Sequence, residues 1–235
     1  MKPKQIAKIV TDILMTVILL LIMARGLVGE AAHEWLGIGM FTLFILHHVL
    51  NNAWCRAWCR NLHRGKYTSF RIMQTALVIL ALLSMLGSMV SGIILSRYAL
   101  AFLPITGGQS WARIVHMLCA YWGFAIISLH LGLHWSMMLG MVKRLFKKPS
   151  TVRKWIARGL GLLIAGYGLF AFFKREIGSY MLLKNQFVFF DLDELLASFL
   201  LDYVAAMGLF VFLGHYFAGT AKNLHGERKP HGSTE

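Results

Sequence analysis

A chain of 235 residues that is 57% apolar, 14% charged and has a mean hydropathy of +0.62 does not read as a soluble domain, for which about 45–50% apolar and about 25% charged is usual. Its net formal charge of +14 sits in short Lys/Arg clusters between apolar runs, with no basic stripe interleaved with stacking aromatics, which argues against nucleic acid as a partner. An integral membrane protein is what remains.

A membrane-crossing helix needs about 20 mainly apolar residues. Six stretches meet or approach that length, at about 9–28, 34–55, 71–95, 112–141, 156–173 and 197–218. The first follows a basic leader (Lys2, Lys4, Lys8) and ends in Arg25, Gly26, Gly29 and Glu30 without a small-x-small cleavage pattern, so it reads as a retained span. The fourth is long enough to project beyond the hydrocarbon, and the fifth stops at Lys174–Arg175–Glu176. The segment 177–190 is apolar but broken by Lys184 and Asn185, and reads as a surface helix or hairpin. Residues 219–235 read as a short cytoplasmic tail. The expected fold is all-α: one polytopic membrane domain, a bundle of six transmembrane helices with a haem-binding four-helix core. Of the 24 Lys and Arg, 18 fall in the N-terminal tail, 56–71, 143–158 and the C-terminal tail. Positive residues stay inside, which predicts cytoplasmic termini and makes spans two, four and six run inward, in a bacterial cytoplasmic (inner) membrane.

The histidines carry the chemical signal, because ionisable residues inside spans are costly and mark function. His33 and His47 lie 14 residues apart on the second span, and His116 and His130 lie 14 apart on the fourth. Fourteen positions return to nearly the same helix face about 21 Å further on. Facing imidazoles at two depths are what two six-coordinate haems require, so the spacing predicts haem iron between His33 and His116 at the outer level and between His47 and His130 at the inner one. Gly39 and Gly123, lying between the histidines of each span, would let a flat macrocycle approach the backbone; close helix packing explains them equally well. Arg113 near the outer level and Arg56 below the inner one suit haem propionates. His48 is an alternative inner ligand. His134, His215, Asn51 and Asn52 are candidates for a quinone pocket. The absence of CxxCH argues against covalent haem, and Cys55, Cys59 and Cys119 have neither redox nor zinc spacing.

The stretches HEWLGIGMFTLFILHHVLNNAWCRAWCRNLHRGKY (His33–Tyr67) and HMLCAYWGFAIISLHLGLHW (His116–Trp135) resemble the flavinylation-associated cytochromes, bacterial membrane proteins similar in their core to the di-haem b subunits of respiratory enzymes. The resemblance covers residues 8–140 best. It implies electron transfer across the cytoplasmic membrane to an extracytoplasmic flavin-bearing or other redox partner; the donor expected is quinol of the membrane quinone pool or a cytoplasmic-side donor.

The expectation at this point is a b-type di-haem membrane cytochrome holding two non-covalent haem b, either an electron-transfer protein or a quinol-oxidising subunit of an oxidoreductase, with a homo-oligomer open. The alternatives are a transmembrane ferric reductase-like protein, and a non-redox transporter or metal-binding membrane protein. Transport finds little support in a chain with no internal repeat and four prolines, all outside span cores.

Overall fold

The computed structural model describes residues 3–61, 68–143 and 150–224, and the regular elements among them are all helices. In chain order they are α1 (Pro3–Met23), α2 (Arg25–Val28), α3 (Glu30–Leu50), α4 (Asn52–Asn61), α5 (Ser69–Leu95), α6 (Gln109–Lys143), α7 (Thr151–Lys174), α8 (Ile177–Met181) and α9 (Leu196–Leu224). Five of them, α1, α5, α6, α7 and α9, are long and apolar enough to cross a membrane. Helix α3 passes the same test only when joined to α4, across a bend of 68°. The protein is therefore an all-α bundle of several long apolar helices, consistent with a multi-pass membrane protein. The segment Leu62–Tyr67, with His63, Arg64 and Lys66, lies outside the described residues.

Local chemistry sets the breaks. Gly29 separates α2 from α3 at φ +87°, a region where a side chain would clash with the backbone. Span two was expected to continue to residue 55. It stops at Leu50 because the Asn51 side chain and its own N–H both bond the His47 carbonyl, at 2.9 and 3.0 Å. An amide that competes in this way for helix carbonyls ends a helix. Thr68 and Ser150 cap α5 and α7, their hydroxyls accepting from the N–H groups of Arg71 and Arg153, which satisfies a donor each helix start would leave orphaned.

Helix α6 is the central post. At 35 residues it is about 52 Å long, and both α5 and α9 pack along it, with α7 packed against α9. Helices α1 and α3 form an antiparallel pair on another flank. The core gathers Leu19 and Met23 from α1, Met40 from α3, Tyr121 and Phe124 from α6, and Phe199, Tyr203 and Met207 from α9. Burying a large apolar side chain contributes about 1.5–3 kcal/mol. The segment after Glu176, expected on the surface, forms α8 and turns inward. Ile177 is fully buried, Tyr180 stacks on Tyr121 with ring centroids 4.8 Å apart, and the Trp122 indole N–H donates to the Met181 carbonyl at 2.9 Å. Lys184 and Asn185 fall just past α8, where the chain emerges.

Candidate functional site: two levels of histidine

The parallel course of α3 and α6 brings His33 beside His116, their ring centroids 6.0 Å apart and their planes at 70°. Each ring is anchored by Nδ1 on the main chain of another helix. His33 Nδ1–H donates to the Ile22 carbonyl of α1 at 3.0 Å, and His116 Nδ1–H to the Ser88 carbonyl of α5 at 3.1 Å. The Ser91 hydroxyl, which donates to the Gly87 carbonyl at 2.6 Å, stands 3.1 Å from the same His116 nitrogen and accepts from it. A carbonyl only accepts, so these partners place the ring proton on Nδ1 and leave a lone pair on Nε2 of both neutral imidazoles. The α3 end is held by Glu34, whose carboxylate accepts from Ser96 Oγ at 2.7 Å and from the N–H groups of Arg97, Tyr98 and Ala99, each at 2.9 Å.

At the other level, His47 does not stand alone opposite His130. Its Nδ1–H donates to Asp12 of α1 at 2.8 Å. His130 and His134 form an edge-on pair on α6, centroids 5.0 Å apart, and His130 Nδ1 is buried without a hydrogen-bond partner. His48 folds onto its own helix, bonding the Phe44 carbonyl at 2.9 Å with its ring 4.4 Å from that of Phe44. Of the tandem pair, His47 is thus the one that reaches another helix. Asp12 escaped the sequence reading. The available signal was an acid inside an apolar run, the same argument that singled out the histidines.

The remaining candidates scatter. Gly123 lies against Ser84 of α5, where a β-carbon would stand 3.2 Å from the serine Cβ, which is a helix-packing contact. Gly39 has only Ile18 near it, at 3.9 Å. Arg113 lies over the Phe187 ring at 5.9 Å and lines a small cavity with Ser110 and Gln186. Arg56 is exposed on α4, and Asn52 is exposed at its start.

Two expectations are corrected here. Among the described residues no group of three or more His, Cys, Asp or Glu side chains comes together to hold a metal ion. That overturns the two haem b groups, and with them the descriptions haem protein, cytochrome b, iron and metal-binding. The physical reason is that the imidazoles meet two at a time, and their remaining partners are main-chain carbonyls, a serine hydroxyl and one carboxylate. The quinone falls with them, because its candidate residues do not converge. His134 sits against His130 and His215 against Tyr216, Asn51 bonds its own helix, and Asn52 faces outward. Comparison with known proteins gives no match to a family model, to a curated protein or to a solved structure. The resemblance to flavinylation-associated cytochromes rests on the quoted residues alone.

Proposed function

We propose that this protein handles protons within a membrane, with paired imidazoles at two depths taking up and passing on the proton. The observation that carries the reading is the His33–His116 pair, two rings from different helices 6.0 Å apart whose Nδ1 atoms are both committed to carbonyl oxygens. Two neutral imidazoles oriented in this way each keep a lone pair at Nε2, and a lone pair beside another acceptor gains from a shared proton. Histidine serves such exchange because its charge changes near neutral pH in water, and His and Asp chains inside spans are the residue types of proton relays. His47 with Asp12, and His130 with His134, supply the same residue types at the second level. The Lys/Arg asymmetry orients the chain in a cytoplasmic membrane with both termini inside, which puts His33–His116 at the outer level. Electron transfer to a flavin-bearing partner, which the resemblance implies, needs a resident redox centre, and no convergent ligand set among the described residues supports one.

Proteoliposomes containing an internal pH dye test the proposal. Under an imposed potential the protein should acidify or alkalinise the lumen faster than empty vesicles. His33→Ala and His116→Ala should each reduce the rate roughly a hundredfold, the low end of what a positioned proton-transfer group contributes, while His48→Ala should leave it unchanged. A rate no greater than that of empty vesicles sinks the reading. So does a purified protein with a visible absorption band that disappears in His116→Ala, since that would give these rings a bound chromophore instead of a proton.

A further inference from the structure

A cavity at the start of α6 has no part in the proton reading. Ser110, Arg113 and Ile114 fall within about 100° of arc on the first turns of that helix. Gln186 and Phe187, from the stretch between α8 and α9, line the same space, which measures about 170 Å³ and opens to the outside. The Arg113 guanidinium stands 5.9 Å from the centre of the Phe187 ring. That contact holds the cation at the cavity wall, while its N–H donors still call for acceptors. Among the described residues, the Ser110 hydroxyl, the Arg113 guanidinium and the Gln186 amide make no hydrogen bond or ion pair. Three acids flanking Gln186 in the chain are committed elsewhere. Glu176 accepts from Asn185 at 2.7 Å, Asp191 from the Asp193 N–H at 3.0 Å, and Glu194 from Arg175.

The lining identifies the occupant. One guanidinium beside two neutral donor groups suits a single negative charge, and a guanidinium meets a carboxylate through two parallel N–H···O bonds. Ile114 and Phe187 make the rest of the lining apolar. A wholly polar dianion would leave oxygens unbonded against them, which is costly. The volume lies well below the roughly 300 Å³ at which pockets for drug-sized ligands begin, so the ligand is small. We infer that this cavity binds a small monocarboxylate with an apolar arm. The carboxylate meets Arg113, Ser110 and Gln186, and the arm lies on Phe187 and Ile114. His116 points about 110° away from the centre of this helix face, so the site is independent of the histidines.

Titration calorimetry of the full-length protein in a non-ionic detergent at neutral pH tests this, with benzoate as the probe. Benzoate should bind saturably and roughly tenfold more tightly than acetate, the scale expected for burying part of a ring. Benzamide has the same shape without the charge and should bind at least about tenfold more weakly than benzoate. Arg113→Gln should weaken benzoate by about the same factor, as the loss of a charged hydrogen bond does. Phe187→Ala should weaken benzoate and leave acetate unchanged, which a general loss of folding would not do. Arg113 and Phe187 are both exposed, so these variants should keep the thermal midpoint of the unliganded protein, and Gln186→Leu supplies a third variant with a severalfold loss expected. No saturable benzoate binding, equal affinity for benzoate and benzamide, or full affinity in Arg113→Gln would each overturn the inference. So would inorganic phosphate binding more tightly than benzoate, or displacement of benzoate by equimolar phosphatidylglycerol.

Discussion

Asp202, on α9, is only 1% exposed, and its carboxylate organises one end of the bundle. It accepts from Tyr167 Oη at 2.6 Å, Lys174 Nζ at 2.8 Å and Arg175 Nε at 2.8 Å. Removing one member of a buried ion pair costs about 3–5 kcal/mol because the other is left uncompensated. Lys174 is partly exposed and Arg175 retains Glu194, so Asp202→Ala should cost about 3 kcal/mol, read as a lower unfolding midpoint in detergent, with Glu194→Ala milder. Arg175 also grips Glu194 through two nitrogens, which holds the Glu194 carboxyl below the usual carboxylate range. A depressed folded pKa stabilises above the unfolded value of about 4.3, and that contribution is lost as pH falls through the folded value. The thermal midpoint of the unchanged protein should therefore drop on acidification below about pH 4 more steeply than that of Glu194→Gln; equal slopes would remove this pair from the acid response. The nearness of His33 to His116 was legible in the sequence, since a 14-residue interval on two parallel helices sets matched depths, whereas His47 takes Asp12 and His130 takes His134 as neighbour. Asp12 beside His47 was not, because nothing local links residues 35 positions apart. Nor does sequence choose between His47 and His48; the choice comes from α1, which offers His47 a carboxylate, while His48 finds only Phe44 of its own helix.

The helices approach closely where side chains vanish. A β-carbon on Gly132 of α6 would run into the Val211 carbonyl of α9, one on Gly214 into the Leu129 carbonyl, and one on Gly168 of α7 into the Ala205 carbonyl. Backbone cannot step aside as a flexible side chain can, and small residues at helix crossings serve this approach in membranes. Gly132→Ala and Gly214→Ala should each destabilise by about 1–3 kcal/mol, the usual cost of overpacking. Gly159→Ala on α7, with open space around it, should be neutral. Equal midpoints for all three variants would show that the α6–α9 crossing gives way freely. Apolar run length located the long helices in the sequence. It did not find the bend after α3, set by one asparagine bonding back to His47, nor the inward turn of α8, which depends on Tyr121 and Trp122 waiting on α6.

At the scale of the molecule, several contacts agree on how the chain threads. The start of α3 is tied to the end of α5 through Glu34 and residues 96–99, and to the end of α1 through His33 and Ile22. Helices α1 and α3 are therefore antiparallel, and one end of the bundle gathers the end of α1, the start of α3, the end of α5 and the start of α6, with α8 and Asp202 beside them. Six of the ten acids, Glu30, Glu34, Glu176, Asp191, Asp193 and Glu194, lie at this end outside the five long apolar helices, whereas among the described residues Lys4, Lys8, Arg56, Arg60, Arg71, Arg153, Lys154, Arg158 and Lys222 lie toward the other, the side on which the sequence places 18 of the 24 Lys and Arg. Such an asymmetry in short connections orients a membrane protein with the basic end in the cytoplasm. Ser110, exposed at the start of α6, should therefore be reachable from outside and Ser150, exposed before α7, should not. With the three native cysteines replaced, Ser110→Cys in intact cells should react with a membrane-impermeant thiol reagent, and Ser150→Cys should react only after the membrane is opened. The reverse pattern would invert the whole chain. It would exchange the outer and inner labels of the two histidine levels and place α4 at the opposite leaflet. The pairing itself would stand, since α3 and α6 would turn over together and His33 would still meet His116.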